Sequence, residues 1–168
     1  MNRLCIQRET YDDHAKTWLG NSGHYLENPP PGCLFCVVVR EGSDDLFGGT
    51  MPTGGILGMC LVGRPVARAL PQDGSVGEIT RMVLLGGLPH GTASSVLKRA
   101  ADYARSRGME RLIAYHDRTR HTGCIYRKAG FKKDGKTAPS SGDGWGSRAG
   151  RVSASYEPTG KQRWVLWL

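Results

Sequence analysis

The sequence predicts one α/β domain, because apolar segments of strand length alternate with segments that have helical periodicity. Residues 76–85 have the pattern of a strand, and residues 86–95 form a loop rich in glycine. The next apolar positions recur on one face of a helix: Val96, Leu97, Ala100, Ala101 and Ala104. Residues 112–114 then form a short apolar run of strand type, and residues 162–168 predict a strand rich in Trp, Val and Leu.

The amino-terminal third of the chain predicts a helix followed by a hairpin. Residues 10–19 can form a short helix, and three consecutive prolines make residues 21–32 a loop. Residues 34–39 and 55–62 are predicted to pair as antiparallel strands. A long glycine-rich connection, residues 42–54, is expected between them.

Length and composition predict a single cytoplasmic domain spanning residues 1–168. The chain of 168 residues can bury a core without disulfides or metals. It has no apolar run long enough to cross a bilayer and no signal-peptide pattern at its start. Residues 137–160 carry Trp145 and Arg148 in a Gly/Ser/Ala-rich loop before the last strand, and we expect them to form a substrate flap. The oligomeric state stays open, with a homodimer as one alternative.

The five cysteines are expected to be reduced, because their number is odd and their spacing does not suggest a disulfide framework. Cys33 and Cys36 have the spacing of a metal or redox pair. A zinc site would need a second pair, so we interpret both as strand residues that behave as small hydrophobes.

The net charge of +8 is concentrated in the second half of the chain. Between residues 111 and 136, two aspartates, Asp117 and Asp134, oppose a larger basic group: Arg111, Arg118, Arg120, Arg127, Lys128, Lys132, Lys133 and Lys136. Such a surface attracts polyanions, which favours a nucleic acid, DNA or RNA, as a partner. The alternative is a basic surface that serves only the phosphates of a cofactor.

The glycine loop before the first long helix is a candidate phosphate site. A helix that begins there would direct its first backbone N–H groups and its positive dipole end towards one point. The residues that would form this cradle are His90, Gly91, Thr92, Ala93, Ser94 and Ser95. The alternative is an ordinary helix without a ligand, capped by the side chain of Thr92 or Ser94.

The segment Tyr126-Arg-Lys-Ala-Gly-Phe131 resembles the last motif of the GNAT acyltransferase superfamily. That resemblance implies a mixed, mostly antiparallel sheet that is splayed in the middle and has helices on both faces. It also implies binding of acetyl-CoA or a related acyl-CoA, with Tyr126 protonating the departing thiolate and the backbone of Met82, Val83 and Leu84 holding the thioester. Gly91 to Ala93 fit the second half of the coenzyme loop, whereas Leu88 replaces its Gln or Arg. Alternatively, Tyr126 is a core residue.

Short phage and bacterial GNAT-like proteins are resembled by residues 58–68, 78–81, 115–131, 145, 147–148 and 161–164. Residues 24–26, together with Asp117, His121, Gly123, Ile125 and Tyr126, are similar to the Mom-type enzymes that modify the exocyclic amine of adenine in DNA. This resemblance implies a catalytic contribution from Asp117 and an iron ion as a possible cofactor. The implied iron ligands are His24, Tyr25 and Asp117. The implied DNA-contacting residues are His24, Tyr25, Arg64, Arg68, Arg81, Trp145, Arg148 and Arg163.

Glu78 is the predicted general base, since a carboxylate near the start of the central strand can take a proton from an amine, directly or through water. Its alternative role is an ion pair with Arg81 or Arg64. The sequence thus predicts a Mom-like transferase acting on DNA. Two alternatives remain, namely a conventional N-acetyltransferase of a small amine or protein, and an inactive GNAT fold that binds nucleic acid.

Overall fold

A computed structural model of the protein describes residues 3–23, 32–44, 49–137 and 160–168. The predicted flap, with Trp145 and Arg148, lies mostly outside these residues, and so do His24 and Tyr25. The elements of the described part are β1 (Arg3–Glu9), α1 (Asp13–Asn21), β2 (Cys33–Asp44), β3 (Thr50–Gly63), β4 (Val76–Leu84), α2 (Thr92–Ser106), β5 (Arg111–Asp117), α3 (Cys124–Lys128), β6 (Lys132–Lys136) and β7 (Lys161–Trp167).

The strands form one sheet in the order β1-β2-β3-β4-β5-β7-β6. β4 and β5 run parallel, because α2 carries the chain back along the sheet between them, and the other neighbouring strands are antiparallel. The predicted mixed, mostly antiparallel sheet is therefore confirmed.

The central strands β4 and β5 are hydrogen-bonded over only part of their length. The pairing joins Val76 to Ile79 with Arg111 to Ala114 and then stops. Just beyond, β4 contains a bulge at Thr80, because Leu61 pairs with Arg81 while Val62 pairs with Ile79. The later residues of β4 stay paired with β3, so a gap opens between β4 and β5 in the middle of the sheet.

Helices cover both faces of the sheet. The five predicted apolar positions of α2 are all buried, and they pack with alternate residues of the central strands. On the opposite face, Ala15 and Leu19 of α1 pack against Val38, Met59 and neighbouring strand residues. A sheet that is buried on both faces explains why the central strands consist of continuous apolar runs.

Several element boundaries differ from the sequence prediction. β2 and β3 extend through most of the expected connection and remain paired out to Asp44 and Thr50. α1 begins at Asp13, and not at residue 10, because the side chain of Asp12 accepts a hydrogen bond from the Ala15 amide and caps the helix. Neither β1 nor β6 was predicted. Both strands have sequences dominated by polar residues, and every residue of β6 is exposed.

Cys33 and Cys36 both lie on β2 and are free thiols, as the strand interpretation predicted. Burial raises the pKa of Cys36 to about 12 and that of Cys33 to about 11, so neither is an activated thiolate. In the described ranges, none of the helices has the length and apolarity that a crossing of a bilayer requires.

Candidate active site

Tyr126 lies on the single turn of α3, four residues before Gly130, which has the left-handed conformation expected after a helix (φ 94°). The side chain of Tyr126 is buried. Its ring stacks on those of His116 and Trp164, with centroid distances of 5.9 and 5.6 Å, and meets Phe131 edge-on at 5.8 Å. The tyrosine therefore belongs to the core and at the same time stands beside the strand that borders the gap.

His116 and Trp164 were not predicted as partners of Tyr126. The indole Nε1 of Trp164 donates a hydrogen bond to Nδ1 of His116 at 2.7 Å, in a buried position. The contact arises because Ala114 of β5 pairs with Trp164 of β7, which brings residue 116 diagonally next to the indole on the same face. No local sequence signal reports this pairing between residues separated by 48 positions.

Glu78 lies in the paired half of β4 and is 7% exposed. Its Oε2 accepts a hydrogen bond from the backbone N–H of Val66 at 2.8 Å, a donor that the sequence did not suggest. Burial raises the pKa of Glu78, although the Val66 amide and the positive charges of Lys161 and Arg81 act in the opposite direction. A carboxyl with a raised pKa is a stronger base once it is ionised, as general base catalysis requires.

Glu78 and Arg81 point to the same face of the sheet. Their β3 partners are Gly63 and Leu61, which are two residues apart, and Leu61 packs in the core under α1. Tyr126 packs in the core on the opposite face, together with α2. The predicted base and the predicted acid therefore belong to opposite faces of the sheet, on either side of the gap.

Met82, Val83 and Leu84 lie on the part of β4 that has left β5, as expected for the wall of a splayed site. α2 begins only a few residues later. Its N-cap is Gly91 (φ 92°), with no side-chain cap, so the alternative of a helix capped by Thr92 or Ser94 does not hold. Their hydroxyls instead donate to the carbonyls of Pro89 and Gly91. The cap thus places no side chain over the first-turn amides of a 15-residue helix.

The remaining cradle residues line the same helix end. His90 is exposed, and its Nε2 lies 2.9 Å from Nζ of Lys128 on α3. Ala93 is partly buried and Ser95 is exposed in the first turn of α2, where the Ser95 amide already bonds the Gly91 carbonyl. The structure therefore brings a basic side chain of the tyrosine helix next to the loop that precedes α2.

Asp117 ends β5 and is 2% exposed. Its Oδ1 accepts hydrogen bonds from the backbone N–H and the hydroxyl of Thr119, at 2.8 and 2.7 Å, and Oδ2 lies 3.5 Å from Nε of Arg120. These contacts shape the turn between β5 and α3, while a catalytic contribution of Asp117 stays a prediction. Across the part of the chain that the structure describes, no three His, Cys, Asp or Glu residues could together hold a metal.

The predicted DNA-contacting arginines lie in separate parts of the fold. Arg64 and Arg68 are exposed on the loop after β3, and Nη1 of Arg81 donates to the Thr80 carbonyl at 2.7 Å. Nε of Arg163 is engaged with Asp134, at 2.9 Å from Oδ2 and 3.0 Å from the carbonyl oxygen. Their roles towards a substrate stay predictions.

The fold matches solved acetyltransferases. An IAA acetyltransferase from Bacillus cereus superposes with a TM-score of 0.64 at 14% identity, over 99% of this chain and all of its own. A protein from Desulfovibrio desulfuricans described as a GNAT-family acetyltransferase gives 0.63 at 13% identity, covering 98% and 99% of the two chains. The spermidine N-acetyltransferase of Vibrio cholerae, solved with CoA and spermine, gives 0.64 at 8% identity, covering 96% and 95%.

These structural similarities show that the chain has the GNAT fold, as the resemblance of residues 126–131 had predicted. No protein-family model and no curated protein matches the chain. The Mom-type relationship inferred from the sequence stays a prediction.

Proposed function

We propose that this protein is an acyl-CoA-dependent N-acyltransferase of a small amine. The observation that supports this most directly is the gap between β4 and β5 beyond Ile79 and Ala114. The amino-terminal end of α2 follows the splayed end of β4, and Tyr126 packs against β5 on the other side. A strand gap flanked by a helix amino terminus and a phenol suits a thioester carried by a nucleotide.

The chain's own groups fit the phosphates of coenzyme A. In the first turn of α2 the Thr92 amide bonds the Pro89 carbonyl and the Ser95 amide bonds the Gly91 carbonyl, while the amides of Ala93 and Ser94 precede the first bond of the helical ladder. Gly91 adds no side chain above them. Lys128 lies next to the preceding loop through its contact with His90 and adds positive charge. Among the matched structures, the spermidine N-acetyltransferase was solved with CoA.

The chemistry follows from the placement of the titratable groups. Glu78, once ionised, accepts the proton that the amine loses as its nitrogen bonds to the thioester carbonyl carbon. Backbone groups from Met82 to Leu84 line the cleft near that carbonyl. Tyr126 gives its proton to the sulfur as the carbon–sulfur bond breaks, and solvent then carries the proton held by Glu78 back to Tyr126. The products are an amide and free coenzyme A.

Modification of an amine on a DNA base is a second candidate, favoured by the basic surface beside α3. Arg127, Lys128, Lys132, Lys133 and Lys136 are all exposed on α3 and β6. Such a surface supports binding of phosphates without sequence preference. The amine acetyltransferase named above favours the first candidate, so DNA enters as an outcome of the test.

The test uses the purified full chain with acetyl-CoA and a panel of amines that contains polyamines, amino acids and plasmid DNA. We expect CoA release that depends on a small amine, with a matching acetyl mass on that amine. A new nucleoside mass in digested plasmid would support the DNA candidate instead. Absence of turnover with every acceptor, together with DNA binding, would leave the inactive fold.

The DNA arm has a matched pair of charge reversals. Lys132→Glu changes the basic surface, whereas Lys98→Glu changes an exposed lysine on α2. If DNA is the substrate, the first change weakens binding and flattens its dependence on salt, and the second does neither. Equal effects of both substitutions on DNA binding would mean that the attraction depends on the overall charge of the protein and not on this surface.

A further inference from the structure

The aromatic group formed by His116, Tyr126 and Trp164 contains one hydrogen bond whose direction is chemically determined. An indole nitrogen is only a donor, so Nδ1 of His116 must accept from it, and the bond of 2.7 Å is buried. The ring of Tyr126 stacks against both partners. The position of the proposed acid is therefore set by the pair beneath it.

We propose that Trp164 locks His116 as a neutral imidazole with its proton on Nε2, and that this locked ring is a positioning residue for the Tyr126 phenol. The role of Tyr126 rests on the proposed transferase function, whereas the protonation state of His116 does not. A second proton on His116 could only go to Nδ1, where it would face the indole N–H and break the bond.

The surroundings of His116 also disfavour a second proton. Burial lowers the pKa of His116, and the positive charges of His121, Arg118 and Lys133 lower it further, whereas Asp117 raises it. Lys133 reaches from β6, with its Nζ 5.8 Å from the centre of the Trp164 ring. The uncharged phenol of Tyr126 covers the ring from α3.

Gly123 closes the group from the start of α3. A Cβ at this position would lie 2.8 Å from Cε1 of His116 and 2.7 Å from Cζ2 of Trp164. The backbone of α3 therefore rests directly on the His116–Trp164 pair, three residues before Tyr126. Any change in the charge or tilt of the imidazole is transmitted to the helix that carries the phenol.

The first experiment is ¹⁵N NMR of the histidine-labelled full chain between about pH 5 and about pH 8. We expect an unprotonated Nδ1 and a protonated Nε2 on His116 throughout this range. A proton on Nδ1 of His116 at any pH in this range would overturn the lock. This measurement requires no catalytic activity.

The second experiment compares Trp164→Phe with Trp167→Phe. Both substitutions are on β7, but Trp167 is exposed and its ring packs under the guanidinium of Arg111. Trp164→Phe keeps an aromatic ring but removes the N–H donor together with part of the buried ring volume, so His116 should now titrate, and the melting temperature checks that the core still holds. At pH values below the one at which His116 gains a proton in Trp164→Phe, kcat of this variant should fall about tenfold more than kcat of Trp167→Phe. The KM for acetyl-CoA should change by less than about twofold.

The outcomes separate the two hypotheses. If the wild-type chain has no transferase activity but His116 keeps the locked tautomer, the proposed function fails and the lock stands. If activity is present and the kcat profile of folded Trp164→Phe matches that of Trp167→Phe, the positioning role fails. If His116 remains neutral in Trp164→Phe, burial alone is the cause and Trp164 is not the lock.

Discussion

The backbone N–H of Val66 donates a hydrogen bond to Oε2 of Glu78 at 2.8 Å, although the Val66 side chain is 72% exposed. The loop after β3 thus reaches back onto β4 and covers a buried carboxyl. Nε2 of Gln72 holds this loop in shape through the carbonyls of Pro65, Ala67 and Leu70, at 3.1 to 3.3 Å. The environment of the proposed base therefore depends on a surface loop.

Glu78→Gln should lower kcat by about 10²-fold or more, because the amide cannot accept the proton of the amine. In the wild-type enzyme, activity should fall as the pH decreases through the pKa of Glu78, which burial places above the usual range of a glutamate. The measurement is the pH profile of kcat/KM. An unchanged acidic limb in the variant would show that another group is the base.

Glu78→Gln should also raise the melting temperature near neutral pH. A carboxyl whose pKa is raised in the folded state contributes stability below its unfolded pKa, and this stability is lost as the pH rises through its folded pKa. The gain of the variant should therefore grow from acidic to neutral pH. Glu9→Gln is the control of opposite sign, because the hydrogen bonds from Arg40 lower the pKa of Glu9. It should lose stability near neutral pH.

Val66→Pro should shift the acidic limb of the pH profile to higher pH. Proline has no N–H, so Glu78 loses a hydrogen bond that lowers its pKa. Val66→Ala keeps the donor and truncates an exposed side chain, and its limb should coincide with that of the wild type. A shift of equal size in both variants would assign the effect to the valine side chain.

Tyr126→Phe should lower kcat by about 10²-fold and leave KM for acetyl-CoA almost unchanged, since only the acid is removed. The control is Tyr103→Phe on α2, whose ring packs edge-on against Phe35 and under Arg8. Melting temperatures of both variants check the core. Full activity of Tyr126→Phe would show that Tyr126 is a buried core residue and not the acid.

Gly123→Ala should destabilise the fold by about 3 kcal/mol, from a left-handed backbone and a core clash together. The backbone has φ 73°, and a methyl group would collide with His116 and Trp164. Gly74→Ala is the matched control, with φ 94° and nothing within 4 Å, and it should cost only about 1 kcal/mol. Thermal and urea unfolding measure both. Equal losses would exclude the clash.

Some of the fold could be predicted because local pattern and tertiary burial agree. The apolar face of α2, the strand at Val76–Leu84 and the last strand all have periodicities that survive in the structure. β1 and β6 could not be predicted in this way. These two segments become strands because β2 pairs with every residue of β1, and because β7 pairs with Lys132, Lys133 and Lys136 of the polar β6.

The sequence by itself determined the element types of the central sheet, the left-handed glycine after α3 and the identity of the candidate acid and base, because these depend on periodicity and residue chemistry within short segments. Only the tertiary structure decided what those groups touch. The Val66 amide on Glu78 and the Trp164 indole on His116 join residues 12 and 48 positions apart. Such contacts follow from the register of the strands and from a bulge. Both are set by pairing between distant segments, so no local sequence pattern predicts them.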